Sequence, residues 1–376
     1  RSAGTTPIRI DRERPRKYLL PPQEANARRK EFTVNPMTIR ILAIESSCDE
    51  TAAAVIEDGR ALLASTVASQ MEMHARFGGV FPEVASRQHV LSITPVIEQT
   101  LANAHLTLND IDAIAVTRGP GLAGSLVVGM NAAKGLALGA NRPLVGVNHL
   151  EGHLYSAWVH KAKDKAPEEP KFPLMALLVS GGHSELNLMQ DHLTYERLGA
   201  TLDDAAGEAF DKVARTLGLP YPGGPSIQKT AVDGDSTVFA FPRSWLGKSW
   251  DFSFSGLKTA VLREVRELEK EGGELPVADL AASFQAAVVD VLFTKTMKAA
   301  RQYGAKEILV AGGVSANAAL RAAFMGQDEF PVNIPPLSLC TDNAAMIAAA
   351  GYQRFIQGQQ DDLNLDVRPT WPLSQI

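Results

Sequence analysis

The chain has 376 residues, 45% of them hydrophobic and 21% charged, with a formal net charge of −5. That composition is ordinary for a soluble globular protein and leaves room for two domains on a prior of about 150 residues each. No apolar run reaches the roughly 18 residues a membrane span needs, and two distant cysteines, Cys48 and Cys340, exclude a disulfide framework and fit a reducing, cytoplasmic setting.

Residues 1–36 stand apart. They hold nine Lys and Arg against four acids, a surplus of +5 that leaves −10 on the remainder, together with five prolines and little apolar periodicity. This stretch reads as a flexible N-terminal extension, outside the fold, that could act as a weak electrostatic arm toward nucleic acid. Met37 resembles a natural start just ahead of the first strand.

Residues 39–56 read as strand, turn, strand, with the small polar turn Ser46-Ser47-Cys48-Asp49-Glu50 offering hydroxyls and backbone N–H groups. Residues 111–134 read as strand, the glycine turn Gly119-Pro120-Gly121, and helix. Asn148-His149-Leu150-Glu151-Gly152-His153-Leu154 holds two of only eight histidines, four apart. On a helix both imidazoles share one face, within reach of a single metal ion, although two histidines do not close a site. A chance pair of histidines is the alternative. Glu151 sits in the third position, roughly 100° or more from the histidine face, so the stretch is poorly built for the zinc-peptidase reaction, whose glutamate directly follows the first histidine.

Residues 161–173, rich in Lys, Ala, Glu and Pro, read as a linker or exposed loop with a boundary near Pro170. The same grammar then returns. Residues 174–189 form a second hairpin around Ser180-Gly181-Gly182-His183-Ser184, and residues 308–316 a second strand and Gly312-Gly313 turn ahead of a helix. A glycine turn before a helix presents unpaired N–H groups to an anion. Four phosphate-loop-like elements in the order hairpin, helix turn, hairpin, helix turn predict a duplicated α/β fold, with a nucleotide-binding cleft between an N-terminal lobe (37–170) and a C-terminal lobe (171–376), as in actin, sugar kinases and Hsp70.

In the second half, residues 203–212 read as a helix with Asp204, Glu208 and Asp211 on one face. They are either a solvated face with Glu208–Lys212 pairing or ligands for a ribose or metal. Tyr221-Pro222-Gly223-Gly224 must turn, and Ser253 to Thr259 leads into a helix carrying Lys258, Arg263 and Arg266, an ordinary helix start or a basic patch. Near the end, Asp342 reads as an N-cap or as a third metal ligand beside two imidazoles; spacing alone leaves both open.

Taken together these stretches resemble one family. Ile44-Glu45-Ser46-Ser47-Cys48-Asp49-Glu50-Thr51, Asn148 to His153, Leu178-Val179-Ser180-Gly181-Gly182-His183, Asp203 to Lys212, Ser253 to Thr259, Gly312-Gly313-Val314-Ser315-Ala316-Asn317 and Cys340-Thr341-Asp342-Asn343 match, in unbroken order from Met37, the bacterial tRNA adenosine threonylcarbamoyltransferases, once called O-sialoglycoprotein endopeptidases. The resemblance implies a two-lobed actin-like fold with one divalent metal ion, Fe2+ or Zn2+, held by His149, His153 and Asp342. It implies that Leu178, Val179, Ser180, Gly181, Gly182, Asp211, Gly224 and Asn317 line a site for threonylcarbamoyl-AMP. It further implies transfer to N6 of the adenosine 3′ of the anticodon in tRNAs reading codons that begin with A. Partners would be a degenerate paralogue subunit and a P-loop ATPase subunit. Asn148 departs from the family pattern, where histidine is frequent. The proton acceptor for N6 is not identified, Asp49 and Glu50 being candidates. Fold grammar alone leaves an actin-class ATPase or small-molecule kinase, a metallopeptidase, and a non-catalytic scaffold as alternatives.

Overall fold

The computed structural model describes residues 38–375, so the basic arm expected at residues 1–36 lies outside the described residues. A three-stranded meander opens the chain: β1 (Arg40–Glu45), β2 (Glu50–Glu57) and β3 (Ala61–Ser69). There follow α1 (Met71–Ala75), α2 (Pro82–Ala104), β4 (Ala113–Gly119), α3 (Ala123–Ala140), β5 (Leu144–Asn148), α4 (His149–Tyr155) and the short β6 (His160–Lys161). The second meander is β7 (Leu174–Val179), β8 (Ser184–Asp191) and β9 (Thr194–Ala200). It leads to α5 (Ala206–Thr216), α6 (Gly223–Ala231), α7 (Ser255–Glu271), α8 (Val277–Gln302), β10 (Glu307–Ala311), α9 (Ala318–Met325), β11 (Val332–Asn333) and α10 (Ala344–Ile356).

The two sheets repeat one topology. The first runs β5-β4-β1-β2-β3-β6 and the second β11-β10-β7-β8-β9. In each, the meander is antiparallel and the next long strand returns parallel to the first, β4 beside β1 and β10 beside β7. This is the duplicated actin-like fold that the repeated hairpins predict.

Strand alternation divides the core. Leu42 and Ile44 of β1 face α2 and α3, whereas Ile41 and Ala43 face the other way. In β7, Met175, Leu177 and Val179 face the helices of the second half, and Leu174, Ala176 and Leu178 face inward. The two inward faces share one cluster with residues of α4 and α10. Strands covered on both faces must be apolar throughout, which explains the unbroken apolar runs. α10 fits between the sheets because it is built from small residues; a Cβ on Gly351 would stand 2.7 Å from the Ala115 Cβ. Thus the last long helix returns to the first sheet, packing on β1, β2, β4 and β5.

α8 qualifies the sequence reading on membrane spans, since by length and composition it would suffice for one. Its apolar side chains, among them Leu280, Phe284, Val288 and Leu292, are instead buried in the second-half core.

Candidate metal centre and substrate cleft

α4 starts where it does because Asn148 caps it: the side-chain oxygen accepts from the Leu150 amide at 2.8 Å, and the side-chain nitrogen donates to the Trp371 carbonyl at 2.8 Å. The next residue is His149. His149 and His153 therefore lie on one face, with ring centroids 4.7 Å apart. Gly152, between them, lets α4 sit against α10; a Cβ there would meet Ile347 Cδ1 at 2.7 Å. Asp342 comes from the turn before α10. The N-cap is not Asp342 but its neighbour Asn343, which accepts from the Met346 amide at 3.0 Å. The Asp342 carboxylate is thereby left to face the two histidines.

The three side chains converge. Asp342 Oδ1 lies 3.5 Å from His149 Nε2 and 3.3 Å from His153 Nε2, and one ligand atom from each residue falls within 4.8 Å of the others. Ligands at about 2.0–2.2 Å from a tetrahedral ion stand about 3.3–3.6 Å apart, so these separations suit a shared cation. His153 supplies the stronger test. Both its ring nitrogens are buried; among the described residues Nδ1 has no hydrogen-bond partner and Nε2 faces the Asp342 carboxylate at 3.3 Å, so an ion at Nε2 would relieve part of the roughly 1–3 kcal/mol that an unsatisfied buried polar group costs. Two imidazoles and one carboxylate, with positions left open, form a donor set for a catalytic metal.

Behind this triangle lies Glu45, fully buried at the end of β1. Its Oε2 accepts from His149 Nδ1 at 2.9 Å and from Thr117 Oγ1 at 2.7 Å, and its Oε1 from the Ser47 amide. A carboxylate on Nδ1 fixes the imidazole with its Nε2 lone pair toward the ion, as outer partners of metal-binding histidines do. Burial opposes charging His149, but Asp342 and Glu45 outweigh it and raise the imidazole to about 9. His153, with burial dominant, is lowered. Burial also opposes ionisation of Asp342, yet His149 and His153 hold it well below the usual carboxylate range. Burial, Asp342 and Asp49 together push Glu50 up to about 9. Burial and the neighbouring His149 and His153 push His183, in the second hairpin loop, down to about 4. Both hairpin loops thus bear on the same three residues.

A family model described as tRNA N6-adenosine threonylcarbamoyltransferase matches residues 61–349. The chain belongs to this family. A tRNA N6-adenosine threonylcarbamoyltransferase of Dehalococcoides mccartyi is 58% identical over 332 residues, 88% of this chain and 98% of that protein. One of Thermomicrobium roseum is 55% identical over 353 residues, 89% of this chain and 96% of that protein. Among solved structures, T. kodakarensis HypF shares the fold at a TM-score of 0.55 and 15% identity, covering 85% of this chain and 48% of that one.

The remaining residues expected at the threonylcarbamoyltransferase site gather at the second sheet. Leu178 and Val179 are fully buried core side chains at the end of β7, so only their backbone can reach a ligand. Ser180 leads into Gly181 and Gly182, where no atom of the described residues lies within 4 Å of an added Cβ. The Ser180 carbonyl accepts from the Gly207 amide at 3.2 Å, which brings the start of α5 to this loop. Asp211 accepts from the Gly223 amide at 2.7 Å at the start of α6, beside the open Gly224. Asn317 caps α9 through the Leu320 amide at 3.0 Å and donates to Gln285 at 2.7 Å. Gln228 of α6 accepts from the Ala318 amide at 2.6 Å. The glycine loop thus abuts the start of α5, Asp211 of α5 holds the start of α6, and Gln228 of α6 holds the start of α9.

Local differences from the sequence reading have local causes. α5 begins at Ala206, not at Asp203. Asp203 instead caps α7, accepting from the Ser253 hydroxyl at 2.6 Å and the Phe254 amide at 2.9 Å. Asp204 takes Lys212 at 2.6 Å and Lys258 at 2.5 Å, so Lys258 is not free for a polyanion. The pairing of Glu208 with Lys212, at 2.8 Å, is present. Burial, with Asp49 and Asp342 nearby, holds the half-buried Cys48 thiol well above its usual range, and Cys340 is buried. Glu45, which accepts from His149 Nδ1, is a site neighbour to which the sequence alone assigns no role. Its one signal was position, the last residue of a strand feeding the hairpin turn.

Proposed function

We propose that this chain transfers the threonylcarbamoyl group from threonylcarbamoyl-AMP to N6 of the adenosine 3′ of the anticodon, in tRNAs reading codons that begin with A. The observation that carries this reading is the convergence of the buried His149 and His153 with the part-buried Asp342 in a member of the threonylcarbamoyltransferase family. In the reaction the N6 nitrogen bonds to the carbamoyl carbon, the bond from that carbon to the phosphate oxygen breaks, AMP departs, and N6 loses a proton. A metal ion held by His149, His153 and Asp342 would supply Lewis acidity toward an acyl or phosphate oxygen. The Ser180–Gly182 loop, Asp211, Gly224 and Asn317 would hold the adenylate, and the helix starts around them favour its phosphate. Holding both reactants in register supplies much of the rate for a weak amine nucleophile. Asp49 and Glu50 stand as the two candidate acceptors for the N6 proton; burial, with Asp342 and Asp49 nearby, pushes Glu50 up and disfavours its carboxylate form.

Fe2+ is the first candidate, because two histidines and one carboxylate with open positions are the ligand set of non-haem iron; Zn2+ is the second. Glu151 is turned away from the triangle and engaged by Arg354 at 2.6 Å, which disfavours a peptidase. A division into lobes near residue 170 is supported by the strands, β1–β6 lying before it and β7–β11 after it, while α10 of the second half packs back on the first sheet. The acidic body is unsuited to tight tRNA binding alone, so tRNA is held jointly with a degenerate paralogue subunit and a P-loop ATPase subunit, in the cytoplasm. The test is transfer of labelled threonine to tRNA, with a synthase and both partners supplied, by the parent chain and by His149→Ala. Full transfer by a variant shown to lack metal refutes the reading.

A further inference from the structure

Glu151 is fully buried, lies on the same short helix as both histidines and points away from them. Its Oε2 takes the Arg354 Nε at 2.6 Å, and its Oε1 accepts from the Tyr195 hydroxyl at 2.9 Å. Arg354 belongs to α10, whose leading turn carries Asp342; Tyr195 belongs to β9 of the second sheet. One carboxylate thus joins the helix of two ligands to the helix behind the third, and both to the far sheet. Arg354 continues the connection. It donates to Gln359 at 2.9 Å and lies 5.9 Å from the centre of the Trp371 ring, and the Trp371 carbonyl in turn accepts from Asn148, the cap of α4.

We propose that Glu151 and Arg354 are positioning residues that set the separation of the histidine pair from Asp342, and so the metal affinity of the site. This rests on the metal reading given above. Packing alone does not account for the arrangement. A buried ion pair adds little stability over a well-packed apolar pair, whereas outer groups that orient metal ligands change affinity by about 10–100-fold.

The experiment measures Zn2+ affinity by chelator competition, and thermal midpoint, for the full chain, Glu151→Gln, Tyr195→Phe, and the double variant Glu151→Met/Arg354→Met. The parent and His153→Ala test the metal reading itself. If the parent binds no Zn2+, or His153→Ala binds as well as the parent, that reading fails. If both behave as expected, the variants decide. Glu151→Gln should lower the midpoint and weaken Zn2+ binding at least about 10-fold. The double variant, which leaves no unpaired charge, should recover the midpoint but not the affinity. Recovery of both overturns the proposal, as does parental affinity in Glu151→Gln. Should neither fold, Tyr195→Phe decides: weakened Zn2+ binding at a near-parental midpoint supports positioning, and parental affinity overturns it.

Discussion

Replacing Glu45 with Gln changes no volume but sets up a conflict that the structure lets one work through. Glu45 accepts three hydrogen bonds, from the Ser47 amide on one oxygen and from Thr117 and His149 Nδ1 on the other. Glutamine keeps one acceptor oxygen and gains an NH2. If the NH2 faces Ser47, two donors meet inside the core, at about 1–3 kcal/mol for a buried donor left unsatisfied. If it faces His149, the ring must accept at Nδ1 and carry its proton on Nε2, the atom that points to Asp342. A protonated Nε2 cannot bind a metal. The second arrangement keeps the fold and loses the ligand, and loss of such an outer partner weakens metal binding by about 10–100-fold. Chelator-competition titration with Zn2+, beside thermal melts, reads both arms. Parental metal affinity at a parental midpoint would sink the argument that Glu45 fixes the tautomer of His149.

Gly312, at φ 91° and ψ 168°, would place a Cβ 2.4 Å from the Val179 carbonyl oxygen. Gly312→Ala should therefore cost about 2–3 kcal/mol in a denaturant melt, strain at such backbone angles alone being about 1–3 kcal/mol; an unchanged midpoint would show that β7 and β10 can move apart. At Asp204, burial disfavours the charge but hydrogen bonds from Lys212 and Lys258 prevail and hold the carboxyl below its usual value of 3.8. Because the folded value is the lower one, the stabilisation is present above pH 3.8 and is lost as pH falls through the folded value. Both lysines are partly exposed, so Asp204→Asn should cost only about 0.5–1 kcal/mol at pH 7; urea midpoints from pH 7 downward should converge with the parent's, and a gap independent of pH would contradict the pairing. Zn2+ or Fe2+ should raise the thermal midpoint by several degrees, because an ion bound only by the folded chain stabilises it, by about 2.7 kcal/mol at a hundred times its Kd. EDTA should reverse the shift and His153→Ala should abolish it; a shift that survives in His153→Ala would place the ion elsewhere.

Which features were legible follows from their physics. The hairpins around Ser46–Glu50 and Ser180–Ser184 could be read because strands buried on both faces give apolar runs, and only small polar residues can turn between them. The histidine pair was legible because four residues make one helical turn. Asp342 could not be joined to it by spacing, since the contact depends on α10 returning to the first sheet. No local pattern records that return, beyond the small residues that permit it. The start of α5 was misplaced because Asp203 and Asp204 have good helical neighbours, yet their carboxylates are engaged elsewhere, by the start of α7 and by two lysines. Glu45 was missed because a glutamate ending a strand signals nothing until its three donors, two of them far along the chain, are seen around it.

The late return of α10 bears on how the polypeptide is made. The inner face of β1, β2, β4 and β5 is complete once residue 148 has emerged, but the helix that covers it ends at residue 356. At ribosomal rates of about 5–20 residues per second, that face waits roughly 10–40 s without its lid. During that interval the half-made product is a sticky apolar slab, open to chaperones and to its own copies. Released fragments ending before residue 344 should therefore be chaperone-dependent, and the full chain should not.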